Sequence, residues 1–245
     1  MGGTALKTAV KFDATGAYKT KAKEASMNHM IELEKNFLFG RKNQYVDGSG
    51  IPTYTSGGIL HFLEQWELGT VYGNSATAIT ADTDDQKRII ENTAGTLTEK
   101  QFNGYLERVF RTTNNTANEK LCLCGSGFLA VLNNLIGSKA CLESSVPMTD
   151  TYGMDVSKWR TPFGTVYFKT HPLFSQNSAQ RGNALFLDVK NLKYRYMTGR
   201  DTELLKDRQA NDADYRKDEY LTECGLELHH PESFLYLKNV LDYTP

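Results

Sequence analysis

The 245-residue sequence predicts an α+β protein, and three observations carry that prediction. Helical and extended segments follow one another irregularly, without the strand–helix–strand rhythm of a doubly wound sheet. The clearest helical patterns, at 20–40, after Thr98 and from Ser126 to Gly137, precede the last third, which reads as strand-rich. Composition is that of an ordinary folded chain, with 40% hydrophobic, 11% aromatic and 23% charged residues. Disorder, a collagen-like repeat and a disulfide-dense scaffold are thereby excluded. A chain of this length buries roughly 70–75% of the surface it exposes when unfolded, so it needs no covalent or metal staple.

Taken in order, the first twenty residues alternate weakly around Val10 and Phe12, which predicts a strand or an extended arm. From Thr20 to Phe39 there is neither Gly nor Pro, and Ala22, Ser26, Met30, Leu33 and Phe37 recur at spacings of four and three. Gly40 follows at the stop position, so 20–40 is a helix about 30 Å long. Tyr45 to Thr55 reads as an extended ribbon punctuated by Gly48 and Gly50. Ser56 is placed to cap a short helix carrying Ile59, Phe62, Leu63 and Trp66. Residues 68–95 are polar, with Asp82, Asp84 and Asp85 opening a helical pattern through Ile89 and Ile90.

Thr98 and Gln101 have the spacing of a capping box. They open an amphipathic helix with Phe102, Tyr105, Leu106, Val109 and Phe110 in one stripe. Lys120–Cys124 is a buried strand that turns through Gly125, Ser126 and Gly127 into a helix. That helix buries Phe128, Leu129, Leu132, Leu135 and Ile136 and ends at Gly137. Further strands are expected at Thr165–Lys169, Ala184–Val189 and Lys193–Met197. After a charged stretch from Asp201 to Glu219, more follow in Tyr220–His229 and Phe234–Val240.

Charge is balanced, 28 Lys and Arg against 29 Asp and Glu, which gives no broad electrostatic footprint for a polyanion or an acidic membrane. No run approaches 18 consecutive apolar residues and the first residues carry no apolar signal core, so neither a membrane span nor export is expected. Four cysteines then suit a reducing interior.

Motifs with chemical promise each lack a partner. In Cys122-Leu-Cys124-Gly125-Ser126-Gly127, a cysteine stands where a hydrolase elbow needs its first glycine, and no Gly-Lys-Ser/Thr closes a phosphate loop. On a strand, Cys122 and Cys124 share a face about 6.6 Å apart, poor for a disulfide. With Cys141 and Cys224 distant along the chain, they are a poor zinc site too. These residues are read as core thiols and a Gly-Ser helix cap. His29, His61, His171, His229 and His230 fall in no metal spacing, and His171-Pro172 and His230-Pro231 mark extended or turn dipeptides.

Asp82-Thr-Asp-Asp85 lacks the sixth-position Gly and twelfth-position Glu of a calcium loop. The basic window Lys190, Lys193, Arg195 and Arg200, interleaved by Tyr194 and Tyr196, reads as in/out alternation on a solvated strand. Asn114-Asn-Thr116 is a glycosylation sequon without a secretory context. No catalytic, cofactor-binding or metal-binding residue is therefore assigned.

The ordered segments Phe163-Gly-Thr-Val-Tyr-Phe-Lys-Thr-His171-Pro-Leu-Phe174, Asn183-Ala-Leu-Phe-Leu-Asp188 and Leu192-Lys-Tyr-Arg195 resemble a family of tailed-bacteriophage major capsid proteins. So do Asn211-Asp-Ala-Asp214, Arg216-Lys-Asp-Glu219, Thr222-Glu-Cys-Gly-Leu-Glu-Leu-His-His-Pro231 and Leu237-Lys-Asn-Val240. Upstream, Asn36-Phe-Leu-Phe-Gly-Arg41 and Thr55-Ser-Gly-Gly-Ile-Leu60 fit the same pattern.

The resemblance implies a Hong Kong 97-type (HK97-like) fold. In it, 1–19 is a remnant of the N-terminal arm and extended loop. Residues 20–95 form the peripheral domain with its spine helix at 20–40, 96–203 the axial domain, and 204–245 return strands of the peripheral domain. Much of the arm and extended loop is expected to be missing.

The implied function is a major capsid protein that assembles through pentamers and hexamers into the icosahedral head of a double-stranded DNA phage or prophage. Such a subunit is made in the bacterial host cytoplasm and resides in the virion. It is not an enzyme and binds no cofactor and no membrane. Its implied partners are copies of itself, portal, scaffolding or decoration proteins, and packaged DNA by non-specific contact. Two alternatives carry their own expectations. An encapsulin-like nanocompartment shell would enclose cargo. A hydrolase would pair Ser126 or Cys124 with His171 or His229.

Overall fold

The absence of glycine and proline after residue 17 lets the longest helix form, α1 (Ala17–Phe39), and Gly40 ends it by donating its N–H to the Asn36 carbonyl at 2.8 Å. The computed structural model describes residues 1–3, 17–68, 87–111, 118–137, 142–143 and 157–244. After α1 come β1 (Asn43–Val46), β2 (Pro52–Thr55) and α2 (Ile59–Glu67). Next are β3 (Ile89–Glu91), β4 (Thr96–Thr98), α3 (Glu99–Phe110), β5 (Glu119–Cys124) and α4 (Ser126–Gly137). They are followed by β6 (Leu142–Glu143), β7 (Ser157–Thr161), β8 (Gly164–Thr170), α5 (Pro172–Gln176), β9 (Ala184–Leu187) and β10 (Leu192–Tyr196). The last strands are β11 (Glu203–Leu205), β12 (Glu219–Leu221), β13 (Cys224–Leu228), β14 (Leu235–Lys238) and β15 (Asp242–Thr244).

These elements form two compact units. One comprises 1–61 with 194–227, the other 62–193 with 228–245. β12 and β13 are half-buried, whereas Leu235, Tyr236 and Leu237 in β14 are buried.

The second unit is built on a mixed seven-stranded sheet of order β3-β14-β9-β5-β8-β7-β6. Its central register sets Cys122 opposite Phe186 on one side and Phe168 on the other, and Phe186 opposite Leu235. Period-two alternation therefore collects Cys122, Cys124, Phe168, Phe186, Leu235 and Leu237 on one face. The predicted stripes of α3 (Phe102, Leu106, Val109) and α4 (Phe128, Leu132) join them in a single core. Phe102 stacks on Trp159 with ring centroids 5.4 Å apart, locking α3 to β7. The opposite sheet face is buried as well, through Leu121, Leu185, Leu187 and Tyr236. At the sheet edge the Arg88 and Ile89 N–H groups donate to Glu67 Oε1 at 2.7 and 2.6 Å, which closes part of the open edge of β3.

The capping box is formed as expected: Thr98 Oγ1 accepts from the Gln101 N–H, and the Gln101 side chain accepts from the Thr98 N–H. Ile89 and Ile90, expected at the end of a helical pattern, are instead in β3, paired in parallel with Tyr236 and Leu237. Two β-branched residues beside a buried apolar strand are better satisfied by a ladder than by a helical turn. Ser56 does not cap α2, because its hydroxyl accepts from the Asn36 amide at 2.6 Å. The strand or arm expected before residue 17, the acidic run Asp82–Asp85, the sequon at 114–116 and Cys141 lie outside the described residues.

In the first unit α1 presents Ala22, Ser26, His29, Leu33, Asn36 and Phe37 inward, with His29 Nε2 at 2.7 Å from Thr222 Oγ1 and its ring stacked on Tyr220. Met30, expected in this stripe, is 52% exposed, and His29 takes its place. A hydrogen bond to Thr222 and a flat ring over Tyr220 fill the position that a flexible thioether would leave unpaired. β1 and β2 pair as an antiparallel hairpin whose turn is held by Asp47, with Gly50 at φ +79°.

Candidate interaction surface

The glycine-serine turn after β5 is a packing device. A Cβ on Gly125 would sit 2.3 Å from the Arg181 carbonyl oxygen, so only glycine fits. That carbonyl accepts the Phe128 N–H at 2.9 Å and Ser175 Oγ accepts the Ser126 N–H at 3.3 Å, which satisfies two donors in the first turn of α4. Ser126, expected as part of the cap, is thus the first helical residue, itself capped, and exposed. Cys122 and Cys124 are buried and unbridged on one strand face, as expected, and burial pushes the Cys122 thiol well above its ordinary pKa.

Of the nucleophile–base pairs, Cys124 and His171 meet through a backbone hydrogen bond. His171 donates its backbone N–H to the Cys124 carbonyl at 2.9 Å. Its ring Nδ1 accepts the Leu173 N–H at 3.2 Å, which makes His171 the N-cap of α5. Cys124 Sγ points to the Lys169 carbonyl at 3.6 Å. His229 donates its backbone N–H to the Asn191 carbonyl at 2.8 Å and leads into the turn at His230, a left-handed residue at φ +49°.

The basic window at 190–200 does not form a free cationic face. Arg195 pairs with Glu227, and Arg200 Nη2 lies 2.8 Å from Glu223. Tyr194 and Tyr196 are 44% and 57% exposed, so both faces of β10 meet solvent rather than one packing inward. The Tyr194 hydroxyl donates to Asp201 at 2.6 Å, which raises its pKa.

Two buried polar contacts escaped the sequence reading. Lys120 Nζ meets Asp188 Oδ2 at 2.8 Å, and Asn183 Nδ2 donates to the Tyr236 hydroxyl at 2.8 Å. Lys120 and Asp188 each abut an apolar run, Leu121–Cys124 and Ala184–Leu187, and that is the signal the sequence carried for the first pair.

What distinguishes the first unit is its surface. Of 28 buried hydrophobic residues among those described, only Leu38 and Ile59 belong to it, whereas 12 of the 16 exposed large hydrophobic residues do. They lie on α1 (Met27, Met30, Ile31), on the hairpin (Tyr45, Val46, Ile51, Tyr54) and beyond β10 (Met197). Beside them is an open groove of about 930 Å³ between α1, β2 and β10, lined by Leu33, Asn36, Tyr54, Arg195, Met197 and Thr222. A two-stranded hairpin is at best marginally stable alone, and monomers rarely expose so many large apolar groups on one unit.

Near the start of α1 the Tyr18 hydroxyl donates to Asp218, and the Arg216 guanidinium lies 4.5 Å from the Tyr18 ring and 3.1 Å from Asp218. The Tyr18 hydrogen bond is the chief cause holding the Asp218 carboxyl below its ordinary pKa. Among the described residues no group of three or more His, Cys, Asp or Glu is arranged to hold a metal ion, and no helix is long and apolar enough to cross a membrane.

Comparison with known proteins shows the fold and the family. No curated protein matches the sequence. Among solved structures, the chain is similar to the encapsulin SrpI of Synechococcus elongatus PCC 7942, from its holo complex. The TM-score is 0.54 over 96% of this chain and 71% of that one, at 13% sequence identity. That likeness shows the fold, which is HK97-like. The sequence model of the SU10 major capsid protein family matches residues 2–241, nearly the whole chain, and the protein belongs to that family of phage capsid subunits.

Proposed function

We propose that this chain builds the icosahedral head of a tailed double-stranded DNA phage or prophage by associating with itself, first as pentamers and hexamers and then as a shell. The family match over residues 2–241 carries the reading. Its physical support is the unequal burial of the two units: a subunit whose first unit carries 12 of the 16 exposed large hydrophobic residues described is suited to covering them with neighbouring copies. The first unit is assigned as the peripheral domain with α1 as its spine, and the second as the axial domain, whose tips meet around the capsomer axis.

In this reading no residue is catalytic. Cys124, Ser126, His171 and His229 serve packing and capping. The protein resides in the virion after synthesis in the host cytoplasm. Portal, scaffolding and decoration proteins are its further partners, and packaged DNA touches it only non-specifically, in keeping with a net charge of −1.

A nanocompartment shell is the second reading, favoured by the likeness to an encapsulin. Light scattering and negative-stain electron microscopy of the expressed chain test both. Rings or closed shells support assembly. Nucleic acid inside particles from the native source supports the head, and a co-purifying enzyme supports the compartment. A strictly monomeric chain under all assembly conditions overturns both.

A further inference from the structure

The turn between β1 and β2 sets an aspartate beside a glycine at an exposed tip. Asp47 is half-buried, and Gly48, Ser49 and Gly50 are exposed. Asp47 organises the amides of the loop. Its Oδ1 accepts the Ser49 and Ile51 N–H groups, both at 2.9 Å, and its carbonyl accepts the Gly50 N–H at 3.0 Å. Its own N–H donates to the Ile51 carbonyl at 3.0 Å. Gly48 is the exception. Its N–H has no acceptor among the described residues, and nothing lies within 4 Å of a Cβ built on it.

These contacts bring together the parts of one reaction. The Oδ1–Ser49 bond closes an Asx turn, a ring that contains the Gly48 nitrogen. The two donors hold the carboxyl group beside the loop and draw electron density from its carbon. Both bonds go to Oδ1, which leaves Oδ2 without a partner among the described residues. With no Cβ on Gly48, the chain can rotate to bring its nitrogen onto that carbon.

We infer that Asp47–Gly48 is a self-modification site, where the Gly48 nitrogen closes on the Asp47 carboxyl carbon and the chain reopens as isoaspartate. In the first step the N–Cγ bond forms, the Cγ–O bond breaks, and the amide hydrogen leaves with the carboxyl OH as one water. The product is a five-membered succinimide. In the second step water opens the ring. Attack at Cγ restores aspartate, whereas attack at the Asp47 main-chain carbonyl carbon routes the backbone through Cβ and Cγ and frees an α-carboxylate. Water is the sole co-reactant. The new link lengthens the main chain by one carbon and removes the side-chain carboxylate that held Ser49 and Ile51. A two-stranded hairpin is marginal by itself and its turn fixes its register, so the β2 edge lining the groove is altered with it. This chemistry does not depend on the assembly reading.

The fold supplies a contrast. Asn103–Gly104 is intrinsically the more reactive pair, because a carboxamide is a better electrophile than a carboxylate. It is exposed too, but it lies within α3. There the Gly104 N–H is held by the carbonyl four residues back, and the helix fixes the torsions that ring closure must change. Folding therefore reverses the order of the two sites.

Ageing the full chain for several weeks at neutral pH, folded and in guanidinium chloride, tests this. Peptide mapping with electron-transfer dissociation locates isoaspartate, and enzymatic methylation of isoaspartyl carboxylates counts it. In the folded chain isoaspartate is expected at position 47 while Asn103 persists; in the denatured chain Asn103 is lost first. Gly48 has open space around it and lies outside the left-handed region, so Gly48→Ala keeps the turn and is expected to remove the signal at position 47. Asp47→Asn keeps an Oδ1 acceptor on a more reactive carbon and should speed the reaction. Far-UV circular dichroism confirms the fold of each variant. That pattern supports the site. Aspartate intact at position 47 in the folded wild type, an equal rate in Gly48→Ala, or the same order of the two sites in folded and denatured chains overturns it.

Discussion

Lys120 Nζ and Asp188 Oδ2 lie 2.8 Å apart inside the second unit, with side chains 0% and 3% exposed. They continue the β5–β9 ladder one step beyond Leu121 and Leu187. Burial lowers the Lys120 pKa, and the ion pair opposes that shift. Asp188 Oδ1 also accepts the Lys190 N–H at 3.2 Å, so the carboxylate holds both a lysine and the turn after β9.

Removing one partner leaves a buried charge unpaired. Lys120→Met is expected to cost about 3–5 kcal/mol of stability. The double variant Lys120→Met/Asp188→Leu recovers most of that loss, leaving chiefly the unpaired Lys190 N–H. Urea unfolding of the four members of this cycle measures the coupling. Additive losses would mean that the pair does not act as a unit.

Gly125 and Gly104 predict opposite outcomes for the same substitution. Gly125→Ala forces a methyl group against the Arg181 carbonyl and disrupts the backbone cap of α4, with an expected loss of about 2 kcal/mol or more. Gly104 lies exposed within α3 with nothing within 4 Å of a built Cβ, so Gly104→Ala stabilises by about 0.5–1 kcal/mol. Melting temperatures of the two variants should therefore move in opposite directions.

Acid loosens the start of α1. Asp218 has a folded-state pKa below its ordinary value, so its contribution is fully present above the unfolded carboxylate range and is lost as pH falls through the lower folded value. Amide protection factors in the early turns of α1, taken relative to the intrinsic exchange rate at each pH, are expected to fall on acidification below about pH 4. Asp218→Asn should lower them already at neutral pH, because the amide no longer attracts Arg216.

Among the described cysteines, Cys224 should react first with a thiol reagent. It is half-buried in the first unit, whereas Cys122 and Cys124 have no solvent exposure. Burial raises the pKa of both Cys224 and Cys122, so labelling is slow at pH 7 for each and quickens for Cys224 alone as pH rises. Mass mapping after brief alkylation separates them; simultaneous labelling of all three would contradict the buried sheet.

The elements with a local signal were legible. The α3 capping box, the Phe102–Leu106–Val109 stripe, the β5 strand and the stop at Gly40 all follow from residues within one or two turns of each other. What failed depended on partners distant in sequence. Ile89 and Ile90 became a strand because Tyr236 and Leu237 offered a ladder 147 residues later. Ser56 was diverted by Asn36, and Met30 yielded its inward position to His29 because Thr222 and Tyr220 stood ready to receive the ring. The interaction surface was legible only as a resemblance, because exposure belongs to the folded arrangement: Met27, Ile51 and Tyr54 read as ordinary apolar residues until the fold leaves them outside.

The thin interior of the first unit has a thermodynamic consequence. A unit with two buried hydrophobic residues among those described draws on mass action for stability, so its melting temperature should climb with protein concentration while that of the second unit stays fixed. The same linkage makes disassembly lag behind dilution. Once each chain is held by several neighbours at once, losing one contact leaves the others in place, and a finished particle persists at concentrations too low to have nucleated it.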